Sequence, residues 1–319
     1  MWGRFLRQLM GRGMKEAPLA SLDNIAVLSD GRLLVLEAQS GTPAKMHILD
    51  ADGKLLETRV PPKATIVRSC SFDPKDRYVA GTWIAASTPR TTSVTSGLMN
   101  PALEPVVTLS AFEEDFDPLR LKEPDYFLDL MVRLVERVYA PQVWMTYDGD
   151  GRLFYAVSDT YEITRTSGDT TDVAWKARRT YEPIPLDGAH VANSALPIVE
   201  TFRGMPEMEK MITPEFIGTM LGKAKLPKHK PALFGLVPTG DGGVLAVHDL
   251  NLQTGEQTAD IFNAAGVFLG SVTLPDQAFM SGSDEVNMVF RGGFAYTVAR
   301  DRQKHNTVVR YRTSLVPAN

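Results

Sequence analysis

The chain has 319 residues, a formal net charge of −4 and an apolar fraction of 44%. These values exclude a protein that binds nucleic acid through a strongly basic overall charge, and they allow a sizeable core. Cys70 is the only cysteine, so no disulfide is expected within the chain.

Residues 1–21 are predicted to form an N-terminal arm ahead of a main domain, 22–319. The first fifteen residues contain no acidic side chain, and their apolar residues recur at the spacing of one helical face. The apolar members are Trp2, Phe5, Leu6, Leu9 and Met10, and the basic members Arg4 and Arg7 lie on the opposite side. A basic amphipathic helix of this kind is typical of docking on a membrane surface or on a protein partner. Two alternatives are a helix that caps the chain's own core and a disordered tail.

From Leu22 the apolar residues alternate, which predicts β-strands at Ile25–Leu28 and Leu33–Leu36 and a hairpin at Met46–Pro62. The hairpin has a copy at Asp260–Pro275. The two copies match at one constant offset in five positions: Ile48/Ile261, Ala51/Ala264, Gly53/Gly266, Leu56/Leu269 and Pro62/Pro275. A glycine in the turn supplies a positive φ, and such self-similarity predicts a repeat architecture with four-stranded units.

The second unit begins in the same way with Ser69–Phe72 and Arg77–Ile84, but its outer half is expected to be degenerate. Ser87–Ser96 is rich in Ser and Thr, and only Pro105–Ser110 is predicted as a further strand. The acidic cluster that follows lacks the oxygen spacing of a calcium loop and is expected to be a solvated loop.

Two segments depart from the β pattern. A helical insertion is predicted at about 120–139, where Asp125–Tyr139 has the apolar spacing of an amphipathic helix. A second insertion is predicted at about 188–231, with a helix that starts at Thr213 and Pro214. Five prolines in this second insertion, Pro197 among them, are expected to prevent any long helix.

The third unit is predicted at Val143–Arg179, the fourth at Leu233–Pro275 and the fifth at Val286–Arg312. Four strands are readable in the third unit: Val143–Tyr147, Arg152–Val157, Thr160–Arg165 and Val173–Arg179. The fifth unit ends one strand early. A unit that lacks its outer strand suits a ring that is closed by strand exchange between the termini.

These residues resemble the bacterial six-bladed β-propeller proteins of the NHL-like type. The similarity is carried by DGRLFYAVSDTYEITRTSGD with ARRTYEPIPL, and by DGGVLAV, DIFNAAGVFLGSVTLP and YTVARDRQKHNTVVRYR. The fold class expected is therefore an all-β propeller. The resemblance implies six blades where five are readable, and the sixth is expected from Thr88–Ser110 or from residues ahead of Leu22.

No catalytic constellation stands out. Asn24, Ser69, Gln142 and Asn287 are the candidates to line an axial channel, and no carboxylate accompanies them. No metal site, cofactor or nucleophile is predicted, because the five histidines never pair at ligand spacing and Cys70 is expected to be a small core residue.

The function expected is that of a non-catalytic binding or scaffold subunit, docked through its N-terminal helix on a membrane surface or a membrane-bound protein assembly. The partners expected are proteins and not nucleic acid. The alternative is a metal-dependent, gluconolactonase-like hydrolase with its site at the propeller axis. No signal peptide is predicted, which favours a cytoplasmic or peripheral membrane location, whereas the family resemblance keeps an exported location open.

Overall fold

The computed structural model describes residues 24–37, 44–61, 65–88, 91–168, 172–250, 257–274, 288–291, 294–300 and 306–312. The predicted N-terminal arm and its boundary with the main domain lie outside these residues, so that division stays a prediction. The described chain divides into two compact units, Met1–Glu114 with Gly149–Arg152, and Asp115–Asp148 with Leu153–Asn319.

The first unit contains two four-stranded antiparallel sheets whose strands neighbour each other in chain order. The first sheet has β1 Asn24–Val27, β2 Leu33–Glu37, β3 Lys45–Leu49 and β4 Leu55–Arg59. The second sheet has β5 Thr65–Phe72, β6 Val79–Thr88, β7 Thr91–Met99 and β8 Pro105–Asp115. Both sheets contribute to one apolar core, in which Leu34, Met46, Val79 and Trp83 are buried. Cys70 packs against this core, as predicted.

The second unit contains three further antiparallel sheets. The third sheet has β9 Val143–Tyr147, β10 Leu153–Val157, β11 Glu162–Thr166 and β12 Val173–Arg178. The fourth has β13 Gly235–Pro238, β14 Val244–Leu250, β15 Gln257–Phe262 and β16 Phe268–Leu274, and the fifth has β17 Met288–Arg291, β18 Phe294–Arg300 and β19 Asn306–Arg312. One core joins the third and fourth sheets around Phe154 and Phe262. Another core joins the fourth and fifth sheets around Val247.

The helices of the second unit lie where the sequence predicts insertions. They are α1 Pro124–Val138, α2 Gly188–Arg203, α3 Pro206–Glu209 and α4 Pro214–Lys223. Their apolar faces pack on one another, with Phe127 stacked on Phe216 at a ring separation of 5.3 Å. The predicted start of α4 is confirmed, because the Thr213 hydroxyl accepts a hydrogen bond from the Phe216 amide at 3.1 Å.

The expectation of no long helix in the second insertion is wrong. Helix α2 has 16 residues, and Pro197 lies inside it. The Asp187 carboxylate caps the helix by accepting from the His190 amide at 2.7 Å. Burial of Ala195 and Val199 in the helical core contributes packing that offsets the backbone hydrogen bond which a proline cannot donate.

The expectation of a degenerate second unit is also wrong. Its Ser- and Thr-rich segment forms β7, and the acidic cluster predicted as a loop belongs partly to β8, which extends to Asp115. The Thr82 and Ser96 hydroxyls form a hydrogen bond across β6 and β7 at 2.8 Å, so polar side chains replace part of the apolar pattern here. Both strands complete the second sheet, and they therefore cannot supply a sixth one.

One turn recurs through the sheets. In each turn the backbone amide of the first residue donates to the carbonyl of the fifth residue. The amide of the fourth residue, which has a positive φ, donates to the carbonyl of the first. The turn occurs at Leu28–Arg32, Asp50–Lys54, Asn100–Glu104, Thr239–Gly243 and Asn263–Val267. The residue of positive φ is a glycine in four of these turns and Leu103 in the fifth.

The sequence repeat is also a structural repeat. Gly53 and Gly266 have φ angles of +83° and +77°. The pairing of β3 with β4 shifts register after Ile48, and the pairing of β15 with β16 shifts at the equivalent residue, Ile261. The chain is thus all-β with helical insertions, built from the antiparallel sheets that form β-propeller blades.

Candidate functional site

A buried carboxylate joins two sheets of the second unit. Asp260, in β15, is 0% exposed. Its Oδ1 accepts from the Ser271 hydroxyl of β16 at 2.5 Å, and its Oδ2 accepts from the Tyr161 hydroxyl and the Arg179 guanidinium. His248 Nε2 lies 3.4 Å from Oδ1. These five residues, here called the carboxylate network, link the third sheet to the fourth.

The protonation states within the network follow from its geometry. Burial alone would raise the pKa of Asp260, but the nearby His248 imidazole and the hydrogen bonds from Arg179, Ser271 and Tyr161 outweigh burial and hold that pKa below its ordinary value. Burial raises the pKa of Tyr161, and donation to the Asp260 carboxylate raises it further. At neutral pH the carboxylate is therefore ionised and the phenol protonated. A general base needs a pKa near the working pH, so the network is suited to holding sheets together and not to proton transfer.

A bulge in β14 explains how His248 reaches the network. Val247 pairs with Ala259 and Asp249 pairs with Thr258, so His248 is the extra residue between two paired positions. The next side chain, Asp249, accepts from Lys230 Nζ at 3.1 Å. The Lys230 side chain is 9% exposed and the Asp249 side chain 35%, so the ammonium group is largely buried while the carboxylate keeps contact with water. His248 and Asp249, which are consecutive in β14, therefore belong to two different polar groups: the carboxylate network and the ion pair with Lys230.

A further polar group lies on α2. The Ser194 hydroxyl donates to the His190 carbonyl at 2.6 Å and contacts the Tyr139 hydroxyl. Burial lowers the pKa of the His190 imidazole, and the nearby charge of Lys230 lowers it further. The His190 ring packs beside Phe234, with ring centroids 6.3 Å apart. The neutral His190 imidazole packs as an aromatic ring, and Lys230 forms its ion pair with Asp249.

The first sheet contains a counterpart of the carboxylate network in which the imidazole and the carboxylate have exchanged positions. His47 occupies the repeat position of Asp260, and its Nδ1 lies 3.0 Å from the Thr58 hydroxyl, just as Asp260 bonds Ser271. Its Nε2 lies 2.9 Å from the Glu37 carboxylate. His47 and Thr58 occupy the register positions of Asp260 and Ser271. Glu37 and His248 each lie two residues after the strand partner of that position, Val35 and Ala246, but Glu37 pairs with Lys45 whereas His248 is the extra residue of the bulge. Relative to the fourth sheet, the imidazole and the carboxylate of the first sheet lie on exchanged strands, while the hydroxyl lies on the equivalent strand in both.

The residues predicted for an axial channel have other contacts in the structure. The Asn24 amide donates to the Cys70 carbonyl at 2.7 Å and so links β1 to β5. The Gln142 side chain reaches the Val138 carbonyl at 3.5 Å, and its backbone amide donates to the Ser158 hydroxyl at 2.8 Å. The Ser69 side chain and the whole of Asn287 lie outside the described residues, as do the docking candidates Trp2, Arg4, Phe5, Leu6, Arg7, Leu9 and Met10. Asn24 and Gln142 belong to different units, and the channel stays a prediction.

The sequence reasoning missed the carboxylate network. The signal for it was the constant offset of the repeat, which aligns not only apolar residues but also His47 with Asp260 and Thr58 with Ser271. Two polar residues at matching interior positions of otherwise apolar hairpins indicate a buried polar pair.

The described part of the chain shows neither a metal cluster nor a membrane span. No group of three or more His, Cys, Asp or Glu side chains there is placed to hold a metal ion. None of its helices is long and apolar enough to cross a membrane. The hydrolase alternative stays a prediction, and calcium-dependent thermal stabilisation that is lost on replacing Asn24 would support it.

No protein-family model and no curated protein matches the chain. Solved structures similar to it include a prolyl endopeptidase, at 13% identity and a TM-score of 0.37, covering 95% of this chain and 42% of that one. Kuenenia stuttgartiensis hydrazine synthase has 10% identity and a TM-score of 0.39, covering 95% of this chain and 66% of that one. The dihydro-heme d1 dehydrogenase NirN has 11% identity and a TM-score of 0.35, covering 93% and 48%. The chain thus spans less than two thirds of each of these proteins, and the likeness concerns the fold alone.

Proposed function

We propose that this protein is a non-catalytic β-propeller subunit that binds a membrane surface, or a protein assembly on it, through residues 1–15. The observation that carries the proposal is the state of Asp260. This buried carboxylate is ionised, surrounded by donors and committed to joining two sheets. The hydrogen bonds of this carboxylate stabilise the fold, and we assign recognition of a partner to the surface and to the arm.

The sequence of the arm supports a membrane as the docking surface. Arg4, Arg7, Arg12 and Lys15 give its first fifteen residues four positive charges and no negative one. Each basic residue near an anionic bilayer contributes about 1 kcal/mol of attraction. Trp2 and Phe5 on the apolar face have the chemistry of side chains that insert at the interface.

The proposal includes the NHL-like type with six blades. Five sheets are described, and the two strands considered for a sixth, β7 and β8, belong to the second sheet. The strands of a sixth blade would therefore come from residues outside the described part of the chain. A count of the strands of the full chain from backbone NMR chemical shifts tests this part.

The docking proposal is tested by vesicle flotation of the full chain. Vesicles of phosphatidylcholine with phosphatidylserine should carry the protein, and the chain that lacks residues 1–15 should remain at the bottom of the gradient. Arg4→Gln with Arg7→Gln should weaken binding about 30-fold, since two charges at about 1 kcal/mol each are lost. Leu56→Ser is the matched control, because it removes an apolar side chain that is 53% exposed elsewhere on the surface. Equal flotation of the full and shortened chains would contradict membrane docking.

A further inference from the structure

Arg133 of α1 is a half-buried cation that pairs with none of the described residues. Its Nε is buried without a hydrogen-bond partner there, and no described carboxylate forms an ion pair with it. Other half-buried arginines of the second unit are paired. Arg179 donates to Asp260, and Arg203 donates to Glu200 at 2.6 Å. A buried polar group without a protein partner is costly, and it points to an ordered water or a bound ion.

Two carboxylates lie within about one turn of Arg133 on its own helix. Asp129 comes four residues before it and Glu136 three residues after it, spacings at which helical side chains are neighbours. The Asp129 carboxylate instead lies 3.9 Å from Lys223 Nζ of α4. The Glu136 carboxylate accepts from the Lys225 backbone amide at 2.7 Å. The guanidinium of Arg133 is therefore directed away from both carboxylates.

The stripe of α1 that carries Arg133 is buried at its start. Tyr126, Leu130, Arg133 and Arg137 follow one another at helical spacing along this stripe. Tyr126 and Leu130 are buried, but they do not belong to the apolar core that joins the four helices. Arg133 thus extends a second buried stripe of α1, where low polarity strengthens the attraction between its charge and an anion.

Arg137 places a second positive charge one turn further along the same stripe. It is half-buried and has contacts of its own. Two like charges four residues apart on a helix repel each other, and an anion beside both relieves that repulsion. A guanidinium binds phosphate through two parallel N–H bonds, and the buried Nε–H of Arg133 is available for one of them. A phosphate dianion also matches two positive charges better than a single carboxylate does.

We infer that Arg133, with Arg137 beside it, forms a binding site for a phosphate group, here called the arginine site. Arg133 donates from Nε and one terminal nitrogen to two phosphate oxygens, and Arg137 contributes charge. The phosphate is carried either by a small free molecule or by a lipid headgroup, since a guanidinium binds the same oxygens in both. This inference does not depend on the proposed function, because it requires neither the arm nor a membrane.

Nuclear magnetic resonance of the arginine side chains tests the arginine site directly. Inorganic phosphate, titrated into the full chain at constant ionic strength, should shift the Nε–H signal of Arg133. That signal is assigned by its loss in Arg133→Lys. The Nε–H signal of Arg203, which is paired with Glu200, is the internal control and should not move. Chloride at the same ionic strength should leave the Arg133 signal in place.

Variants measure what Arg133 contributes to phosphate affinity, followed through the backbone amide signals of α1. Arg133→Gln should raise the Kd for phosphate about tenfold or more, because it removes a charge-assisted pair. Arg133→Lys should also raise it, since lysine keeps the charge but cannot donate two parallel bonds. This second variant keeps the test valid if Arg133→Gln does not fold. Arg203→Gln removes another half-buried arginine and is the matched control, with an unchanged Kd.

The results separate the possible partners of Arg133. An Nε–H signal that phosphate does not shift would overturn the inference and leave an ordered water as the partner. Equal phosphate affinity of wild type and both Arg133 variants would overturn it as well, and tighter binding of acetate would rule out phosphate as the ligand class. Vesicles that contain phosphatidic acid distinguish the two sources. Flotation of the chain lacking residues 1–15, lost in Arg133→Gln, supports a lipid headgroup, whereas phosphate binding without flotation supports a free phosphate.

Discussion

The turn at Gly266 gives a sharp test of how the third and fourth sheets are joined. An ideal Cβ on Gly266 would lie 2.8 Å from Cδ2 and 3.0 Å from Cε3 of Trp175, a β12 side chain. The Ala264 carbonyl of the same turn accepts from Trp175 Nε1 at 3.0 Å and from Arg165 at 2.7 Å. Gly266 is thus required both by its φ of +77° and by the ring pressed against it.

Gly31 is the matched control. It has the same turn, with φ +87° and an amide that donates to the residue three positions back at 3.0 Å, but an added Cβ there would meet nothing within 4 Å. Gly31→Ala should cost about 1 kcal/mol of unfolding free energy from the left-handed backbone alone. Gly266→Ala should cost the same plus about 1–3 kcal/mol of overpacking.

The assay is equilibrium urea unfolding of four proteins: wild type, Gly266→Ala, Trp175→Leu and the double variant. With the ring removed, Gly266→Ala should cost only as much as Gly31→Ala, which gives a coupling of about 1–3 kcal/mol. The contact with Trp175 is refuted as the cause if Gly266→Ala costs no more than Gly31→Ala, or if its cost is unchanged by Trp175→Leu.

Three further predictions concern buried groups. Asp260→Asn should lower the free energy of unfolding by about 2–3 kcal/mol at neutral pH. This loss is at or below the usual one for a broken buried pair, because the Arg179 side chain is 35% exposed. Since the folded-state pKa of Asp260 lies below its ordinary 3.8, this stability is present above about pH 5 and is lost as the pH falls below about 4, so wild type and variant should converge in acid-unfolding curves. Leu103→Gly should relieve about 1 kcal/mol of backbone strain at φ +62° but lose more from an apolar side chain that is 3% exposed, for a net loss of about 2 kcal/mol by thermal unfolding. The exchange Glu37→His with His47→Asp should be tolerated better than either single change, and additive losses in urea unfolding would contradict the equivalence of the two networks.

The sequence predicted those sheets whose strands are short apolar runs between turn residues. The third sheet was readable because the runs VWMTY and LFYAV lie on either side of a glycine turn. In the second sheet, part of β8 was predicted at Pro105–Ser110, but β7 was not, because its Ser and Thr side chains bond through hydroxyls and give no apolar pattern. Apolar periodicity marks a buried face, and a strand rich in Ser and Thr shows little of it.

The carboxylate network could not be predicted from local pattern. Tyr161 and Asp260 are 99 residues apart in the chain, and only the packing of two sheets brings them together. The bulge at His248 depends on how β14 pairs with β15, and the sequence VLAVHDL does not mark which residue is the extra one. Long-range polar contacts of this kind depend on the relative placement of strands, which periodicity does not encode.

The exchanged pair of the two repeats bears on how such a protein evolves. If the hairpins arose by duplication, the imidazole and the carboxylate exchanged positions in one of them. A single substitution at either position would have placed two carboxylates or two imidazoles next to each other in a buried site. The two replacements therefore had to occur together or through a partner that suits both, such as an amide. The hydroxyl of Thr58 and Ser271, which accepts from or donates to either group, is the member that could stay constant throughout. Divergence of repeats within one chain is then limited less by their apolar residues, which change singly, than by buried polar partners that must change as a set.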